Sequence, residues 1–253
     1  MWVLSFGGTI SSRIEYKTGA VFPALNAEDL HRAFPEMDRI ARVGTKEVFN
    51  LLSEDMHPEH WKVMAEEVHR ALKDDKPAVL THGTDTMAYS AAALSFMVRN
   101  PPRPIVLTGA QRSSDRGSSD NRQNLIDSLL YARQGKPGVF VCMHGSMSDD
   151  YNLVHLGVKV RKMHTSRRDA FVSVNRRPVA RVDYRTGTLE YIDPPPEVGG
   201  DLTLDTRVNT NVAMQYIYPG IRPEALSSLS DYDGVVLIGT GLGHVPTNPF
   251  RDP

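Results

Sequence analysis

The sequence predicts an α/β fold with a mostly parallel sheet and helices on both faces of that sheet. Three observations predict it: short apolar runs alternate with segments of helical periodicity, glycine-rich or polar loops follow the runs, and strand and helix signals alternate up to residue 143. Nearly continuous apolar runs are typical of parallel strands, which are buried on both faces. Ligands of such sheets bind beyond the carboxyl ends of the strands, so the loops that follow strands are the candidate sites.

Each element follows from a local pattern. Residues 2–6 form an apolar run that ends at a glycine pair, which predicts a buried strand and a tight turn. Asn26 is an N-cap residue before an acidic first turn, and Pro58 occupies a first helical position. We therefore predict strands over residues 2–6, 48–52, 78–80, 104–107 and 139–143, and helices from Asn26, from Pro58, and over residues 86–98 and 121–133.

The pattern changes after residue 180. Two alternating runs flank Gly187, which predicts a hairpin, and a proline- and glycine-rich stretch begins near residue 194. A strand–helix–strand unit follows over residues 212–218, 222–229 and 234–238. We predict a first domain over residues 1–193, a linker over 194–210, and the truncated start of a smaller α/β domain over 211–253, since that piece is too small to bury an adequate core alone.

Composition excludes several classes of protein. The 253 residues carry 29 basic and 30 acidic side chains, so the net charge of −1 lacks the basic character of a protein that grips nucleic acid. The longest apolar stretches fall short of the ~20 residues of a membrane span, and no signal peptide precedes the first strand. One cysteine, Cys142, cannot form an internal disulfide. We therefore expect a cytoplasmic protein without a membrane partner.

Two loops at predicted strand ends combine glycine with threonine. In Gly7-Gly8-Thr9-Ile10, two glycines allow a sharp turn and close approach to a ligand, although a plain glycine turn has the same pattern. In the second loop, Thr84 and Asp85 could cap the following helix. A helix N-terminus also suits an anion or an oxyanion, which gives this loop a second interpretation.

Three further polar loops are candidates. Residues 161–168 could be a solvated basic loop, an anion-binding patch, or a loop in which Lys162 points inward at an acid and assists proton transfer. Residues 52–56 place two carboxylates beside a hydroxyl. In residues 108–120, Ser119 and Asp120 can cap the next helix, which leaves the polar side chains at positions 111–113 without a structural explanation.

The pair of motifs Gly7-Gly8-Thr9-Ile10 and His82-Gly83-Thr84-Asp85-Thr86-Met87, in this order and each at a strand end, resembles the signature of the L-asparaginase/glutaminase family. The resemblance extends through residues 108–127 and Lys162 to Asn175. It implies that residues 1–193 are an asparaginase/glutaminase-like catalytic domain that hydrolyses the side-chain amide of glutamine. It also implies that this chain needs no metal or other cofactor of its own.

The resemblance implies two groups of catalytic residues. Thr9 is the expected nucleophile, because acyl transfer through a hydroxyl divides amide hydrolysis into two easier steps, and Tyr16 is expected to assist it. In the second group Lys162 orients Thr84, and Asp85 balances charge and meets the substrate's α-ammonium. Lysine ordinarily titrates near 10.4, so neighbours or burial must tune it to act as a base. Alternatively, Thr84 is the nucleophile.

The expected substrate-binding residues are Gly8, Gly83, Ser53, Glu54 and Arg112. Ser53 and Glu54 match the family's contacts with the substrate backbone, but the usual asparaginase pattern has glutamine where this chain has Glu54. A carboxylate there favours the α-ammonium and repels the α-carboxylate. Arg112, or the free amides at the start of the helix after Gly83, is therefore left to bind the α-carboxylate.

Within the family, residues 48–56, 109–115 and 161–171 resemble the glutaminase subunits of archaeal tRNA-dependent amidotransferases. This resemblance implies a partner, the E-type subunit of the amidotransferase, that holds glutamylated tRNA(Gln) and activates its glutamate with ATP and Mg. It implies a homodimer within a heterotetramer, with tRNA bound mainly through the partner. It also implies a small domain before the first strand and a complete second α/β domain after residues 241–244, so we expect this chain to be a partial protein.

Two other functions are compatible with the sequence. A stand-alone cytoplasmic L-asparaginase would turn over asparagine without partner or tRNA, and a truncated, inactive binding or scaffold module would hydrolyse neither amide. His57 and His60 could suggest a metal, but beside Pro58 they are typical of a solvated helix start, and no third ligand is evident. The glycines at 239–243 lack dinucleotide-binding spacing.

Overall fold

The computed structural model describes residues 1–8, 12–14, 18, 21–23, 32, 34–113 and 115–247, with the backbone alone for residues 12–14 and 21–23. The helix predicted from Asn26 lies outside these residues, apart from Arg32. The chain divides into two compact units, Met1–Thr206 and Arg207–Pro253. In the described part, no helix is both long and apolar enough to cross a membrane.

The first unit contains most of the secondary structure. Its strands are β1 (Trp2–Gly7), β2 (Ser12–Ile14), β3 (Val21–Pro23), β4 (Gly44–Leu51), β5 (Ala78–Thr81), β6 (Val98–Arg99), β7 (Pro104–Thr108), β8 (Gly138–His144), β9 (Asn152–Leu156), β10 (Val160–Lys162), β11 (Phe171–Ser173), β12 (Ala180–Asp183), β13 (Thr188–Tyr191) and β14 (Thr203–Leu204). Its α-helices are α1 (Met37–Ile40), α2 (Pro58–Lys73), α3 (Met87–Met97) and α4 (Asn121–Gln134), and Ser53–Asp55 and Gly157–Lys159 are 3₁₀ helices.

Eight strands form the main sheet in the order β13-β12-β9-β8-β7-β5-β1-β4. The strands from β4 to β8 in this order are parallel, which confirms the predicted fold class. Strands β9, β12 and β13 extend the sheet antiparallel, and β9 is an element that the sequence pattern did not predict. The predicted hairpin is β12–β13, and Gly187 takes a φ of 69° in its turn. A left-handed φ of this kind favours glycine.

Side chains of the parallel strands are buried on both faces. Val3, Val79 and Val106 face α4 in one core cluster, together with Phe140, whose ring meets the ring of Tyr131 edge-on with centroids 5.0 Å apart. Because successive side chains of a strand alternate between faces, the neighbouring buried residues of these strands lie on the opposite face of the sheet. Helix α1 packs on α4, and α2 packs on α3.

Local sequence explains the start of α2. His57 is the N-cap residue, its ring accepts from the backbone N–H of Glu59 at 3.4 Å, and the His57 N–H donates to Nδ1 of His60 at 2.9 Å. The two histidines therefore form a helix start, as the sequence predicts. Among the described residues, no group of three or more His, Cys, Asp or Glu side chains is placed to hold a metal ion.

The predicted linker over residues 194–210 includes β14, which pairs antiparallel with β6 through Thr203 and Arg99. The second unit contains β15 (Val212–Tyr216) and β16 (Gly234–Ile238), which pair in parallel. The helix between them, Pro223–Asp231, is 3₁₀. Serine hydroxyls bond to carbonyl groups three residues earlier along it, which competes with a regular α-helical pattern.

Candidate active site

Three loops meet closely at the carboxyl edge of the parallel strands. They follow β1, β4 and β5, which are neighbours in the sheet. A Cβ atom on Gly8 would lie 2.4 Å from the backbone nitrogen of Gly83, and a Cβ atom on Gly83 would lie 2.5 Å from Cβ of Ser53. Gly8 also has a φ of 87°, which side chains rarely adopt. The glycines therefore permit an approach of three loops that any larger residue would block.

Ser53 is held by the start of α3. Its hydroxyl accepts from the backbone N–H of Thr86 at 2.9 Å and lies 3.0 Å from Oγ1 of Thr86. The Thr86 hydroxyl donates to the carbonyl oxygen of Ser53 at 2.9 Å. Thr86 therefore fixes both the backbone and the side chain of Ser53. The adjacent Glu54 is exposed.

Lys162, the last residue of β10, meets the loop after β5. Its ammonium donates to Oγ1 of Thr84 at 2.9 Å and to Oδ1 of Asp85 at 2.5 Å. The Thr84 side chain is buried, the Lys162 side chain is 11% exposed, and the Asp85 side chain is 66% exposed. The lysine thus connects a buried hydroxyl to a carboxylate that solvent or a substrate can reach.

The loop after β7 supports Thr84 from another side. A Cβ atom on Gly109 would lie 2.5 Å from the carbonyl oxygen of His82 and 3.2 Å from the methyl group of Thr84. Further along this loop, Asp120 accepts from the backbone N–H groups of Gln111 and Arg112 at 3.0–3.1 Å. Of the two expected capping residues, Ser119 accepts from the backbone N–H of Asn121 at 3.3 Å, whereas Asp120 makes no side-chain capping bond to α4. Its carboxylate instead satisfies the N–H groups of its own loop.

His82 is a buried structural side chain. Its Nδ1 lies 2.7 Å from the carbonyl oxygen of Gly83, and because a carbonyl only accepts, Nδ1 carries the proton. Its Nε2 then accepts from the hydroxyl of Ser90 at 2.8 Å, and that hydroxyl accepts from Nε1 of Trp61 at 2.9 Å. Burial lowers the pKa of His82 to about 4, so the ring is neutral at physiological pH. His82 therefore positions Gly83.

The structure brings together most of the predicted site residues: Gly8, Ser53, Gly83, Thr84, Asp85 and Lys162. Arg112 lies in the adjoining loop, where its guanidinium donates to the hydroxyl of Ser118 at 2.6 Å. Thr9 and Tyr16 lie outside the described residues, so their roles stay predictions.

Within residues 161–168, Lys162 points inward, as one of the three interpretations requires. Arg168 is buried too, whereas Arg161, His164 and Arg167 are exposed. Neither a uniformly solvated loop nor a uniformly exposed basic patch describes this segment.

The sequence did not assign a role to Thr86, although it belongs to the second of the two family motifs. Threonine directly before a helix is a common N-cap residue, and that local signal was present. Its bonds to Ser53 cross 33 positions of the chain, and no local pattern predicts such a partner.

The site contains a buried threonine hydroxyl, Thr84, that is bonded to the ammonium of Lys162, and the same ammonium is bonded to the carboxylate of Asp85. This arrangement suits acyl transfer. The chain belongs to the asparaginase family, because residues 1–196 match the family described as "Asparaginase, N-terminal".

Within this family, the chain is similar to subunits of tRNA-dependent amidotransferases. The chain is 49% identical over 251 residues to the D-type subunit of glutamyl-tRNA(Gln) amidotransferase from Pyrococcus abyssi, and 51% identical to the corresponding protein of Thermococcus kodakarensis. Each comparison covers 97% of this chain and 57% of the relative, so the chain spans little more than half the length of these relatives.

Among solved structures, the thermostable L-asparaginase from Thermococcus kodakarensis matches with a TM-score of 0.84 and 34% identity, over 97% of this chain and 72% of that one. L-asparaginase I from Vibrio cholerae also has a TM-score of 0.84, with 26% identity over 98% of this chain and 74% of the other.

Proposed function

We propose that this chain is the glutaminase part of a glutamyl-tRNA(Gln) amidotransferase. It hydrolyses glutamine to glutamate and ammonia, and the ammonia converts misacylated Glu-tRNA(Gln) into Gln-tRNA(Gln). The observation that carries the proposal is the contact of Lys162 with Thr84 and Asp85 beside the three packed loops, in a chain about half identical to the D-type subunits of such amidotransferases.

In the proposed reaction a threonine hydroxyl attacks the side-chain amide carbonyl of glutamine. The new C–O bond forms, the C–N bond breaks, and the hydroxyl proton leaves with the nitrogen as ammonia. Water then hydrolyses the acyl-enzyme to glutamate and restores the hydroxyl. We assign the attack to Thr9, with Tyr16 assisting, and we assign the orientation of Thr84 to Lys162.

Substrate recognition follows from the charges at the edge of the site. Asp85 and Glu54 are exposed carboxylates on neighbouring loops, and both suit the α-ammonium of glutamine. The α-carboxylate needs a donor, which is the guanidinium of Arg112 or an amide at the start of α3. Gly8, Gly83 and Ser53 form the closely packed floor on which these groups are arranged.

The proposal includes partners. The E-type subunit of the amidotransferase holds glutamylated tRNA(Gln) and activates its glutamate through ATP and Mg, and this chain contributes no cofactor. The chain works as a homodimer within a heterotetramer, in the cytoplasm. Its net charge of −1 supports an arrangement in which the tRNA lies mainly on the partner.

The experiment is a glutaminase assay of the intact protein, with and without the E-type partner and glutamylated tRNA(Gln). We expect glutamine hydrolysis to rise when both are present. Strong partner-independent turnover, with asparagine preferred, would instead identify a stand-alone L-asparaginase. Hydrolysis of neither amide under any condition would leave only a binding or scaffold role.

A further inference from the structure

Arg168 stands apart from the other basic residues of its loop. Its side chain is 10% exposed, whereas that of Arg167 is 52% exposed and pairs with Asp169 in the same loop. The guanidinium of Arg168 donates to the carbonyl oxygen of Ser118 through Nη2 at 2.5 Å and to Oδ1 of Asp149 through Nη1 at 2.5 Å. One buried side chain therefore joins three loops: its own, the loop after β7 and the loop after β8.

The contacts of Arg168 continue inward as far as Thr84. Oδ1 of Asp149 lies 3.2 Å from Nε2 of His144, and Nδ1 of His144 lies 2.6 Å from Oδ1 of Asn124. Asn124 donates through Nδ2 to the carbonyl oxygen of Gly109 at 2.9 Å. A Cβ atom on Gly109 would lie 3.2 Å from the methyl group of Thr84, so the two residues are close neighbours. A series of polar contacts thus links Arg168 to Gly109, and Gly109 packs beside Thr84.

The loop that contains Arg168 begins directly after Lys162. Arg168 lies in the loop between β10 and β11, which is closed at its base by the bond from the N–H of Met163 to the carbonyl of Ala170 at 2.7 Å. A second tie joins Nε2 of Gln111 to the carbonyl of Arg167 at 2.8 Å. The 2.9 Å contact of Lys162 with Thr84 therefore depends on how this loop docks against the loop after β7.

We propose that Arg168 is a positioning residue that sets Lys162 against Thr84 by docking the β10–β11 loop onto the loops after β7 and β8. Arg168 touches neither residue. The geometry requires a guanidinium, because its planar fork reaches a carbonyl and a carboxylate on different loops at once, and a lysine ammonium cannot reproduce that fork. The activity measurement, but not the structural one, rests on the proposed glutaminase function.

The principal test is Arg168→Lys in the intact protein with its partner and tRNA. We expect kcat for glutamine hydrolysis to fall about 10- to 100-fold, since small misplacements of catalytic groups cost that much. Amide hydrogen exchange over residues 109–120 should become faster. Arg167→Lys is the matched control, and both quantities should stay at the level of the unmodified protein.

Chemical rescue separates positioning from general stability. Guanidinium ion added to Arg168→Ala should restore part of kcat, and the same concentration of ammonium ion should not. If Arg168→Lys does not fold, Asp149→Asn serves instead, because the Asp149 side chain is 65% exposed and its replacement removes the same ion pair. We expect a fall in kcat of about threefold to tenfold from it, because the asparagine amide oxygen can still accept from the Arg168 guanidinium while the ion pair is lost.

Two results would overturn the inference. The first is that kcat and amide exchange are both unchanged in Arg168→Lys. The second is that kcat falls, guanidinium does not restore it, and exchange over residues 109–120 is no faster. If the unmodified protein hydrolyses no glutamine, the proposed function fails by itself. The exchange measurement then still decides whether Arg168 docks these loops.

Discussion

The ammonium of Lys162 lies 2.9 Å from the hydroxyl of Thr84, although the two residues are 78 positions apart in the chain. Thr84 follows a central parallel strand, and Lys162 ends a strand of a separate two-stranded sheet. Asp85, on the exposed side of the same lysine, completes the group. Docking of the β10–β11 hairpin against the sheet edge therefore creates the candidate site.

Replacement of Lys162 by methionine should abolish most activity. Methionine resembles the aliphatic part of the lysine side chain and removes the charge and the donor, so we expect kcat for glutamine hydrolysis to fall by a factor of about 10² to 10⁴. The thermal midpoint should change little, because the ion pair has an exposed partner in Asp85. Lys159→Met, on an exposed side chain nearby, is the control. Substantial activity in Lys162→Met would remove the lysine from the mechanism.

The two threonines can be distinguished by trapping. If Thr9 is the nucleophile, Thr9→Ala should form no acyl-enzyme with glutamine, whereas Thr84→Ala should form it and hydrolyse it slowly. Rapid quenching followed by mass spectrometry of the intact chain measures the covalent species. An acyl-enzyme in Thr9→Ala, with none in Thr84→Ala, would assign the attack to Thr84 instead.

Glu54→Gln should weaken glutamine binding. The substitution introduces the amide of the usual asparaginase pattern and removes the charge-assisted hydrogen bond that we propose between Glu54 and the α-ammonium, so KM should rise about tenfold. Asp55→Asn changes the next exposed carboxylate in the same manner and should leave KM unaltered. An unaltered KM in Glu54→Gln would show that this carboxylate faces solvent during the reaction.

Gly83→Ala should damage the site through packing. The new Cβ atom would lie 2.5 Å from Cβ of Ser53 and 2.7 Å from its hydroxyl, so the loops after β4 and β5 must separate. We expect the free energy of unfolding to fall by about 1–3 kcal/mol and kcat to fall more than about tenfold. Gly117→Ala meets nothing within 4 Å and should be neutral in both measurements. Equal effects of the two substitutions would contradict close packing of these loops.

Asp127 should make stability depend on pH. Burial raises the pKa of its carboxyl to about 8; Oδ1 accepts from the N–H of Tyr184 at 2.7 Å, and Oδ2 accepts no hydrogen bond from the described residues. An unfolded aspartate has a pKa near 3.9. Between pH 4 and pH 8 the unfolded chain therefore loses a proton that the folded chain keeps, so this group's stabilising contribution is lost as the pH rises through that window.

Asp127→Asn should remove this dependence. The free energy of unfolding of the variant minus that of the unmodified protein should increase from pH 5 to pH 9, by on the order of 2 kcal/mol or more. Urea unfolding at pH 5, 7 and 9 measures the difference, with the exposed Glu197→Gln as the control. A constant difference across these pH values would mean that the carboxyl of Asp127 has the same pKa, near 3.9, in the folded and the unfolded chain.

The local signals of the sequence predicted the parallel part of the fold and where its loops would meet. Apolar runs, glycine pairs and N-cap residues depend on neighbours in the chain, and each predicted strand of the parallel sheet is present. The antiparallel strand β9 was missed because it contains two buried polar side chains, Asn152 and His155. Their partners are distant in sequence: Asn152 bonds to α4, and His155 bonds to β11.

For the candidate site, the resemblance of the motifs to the asparaginase/glutaminase family pointed to Gly8, Ser53, Gly83, Thr84, Asp85 and Lys162. The motifs could not show that Thr86 holds Ser53, that Asp120 turns back onto Gln111 and Arg112, or that Arg168 is the buried arginine of its loop. The bonds of Thr86 and Arg168 join segments whose separation in space depends on sheet order and loop docking, and the bonds of Asp120 depend on the path of its own loop.

The sequence by itself determined the class of fold, the family and the candidate residues, because strand and helix signals and short motifs are local properties of the chain. Only the tertiary structure decided which polar groups meet: Lys162 with Thr84, and Arg168 with Ser118 and Asp149. The physical reason is that a hydrogen bond requires its two atoms to lie within about 3 Å. For residues far apart in sequence, only the packing of the whole fold provides that proximity.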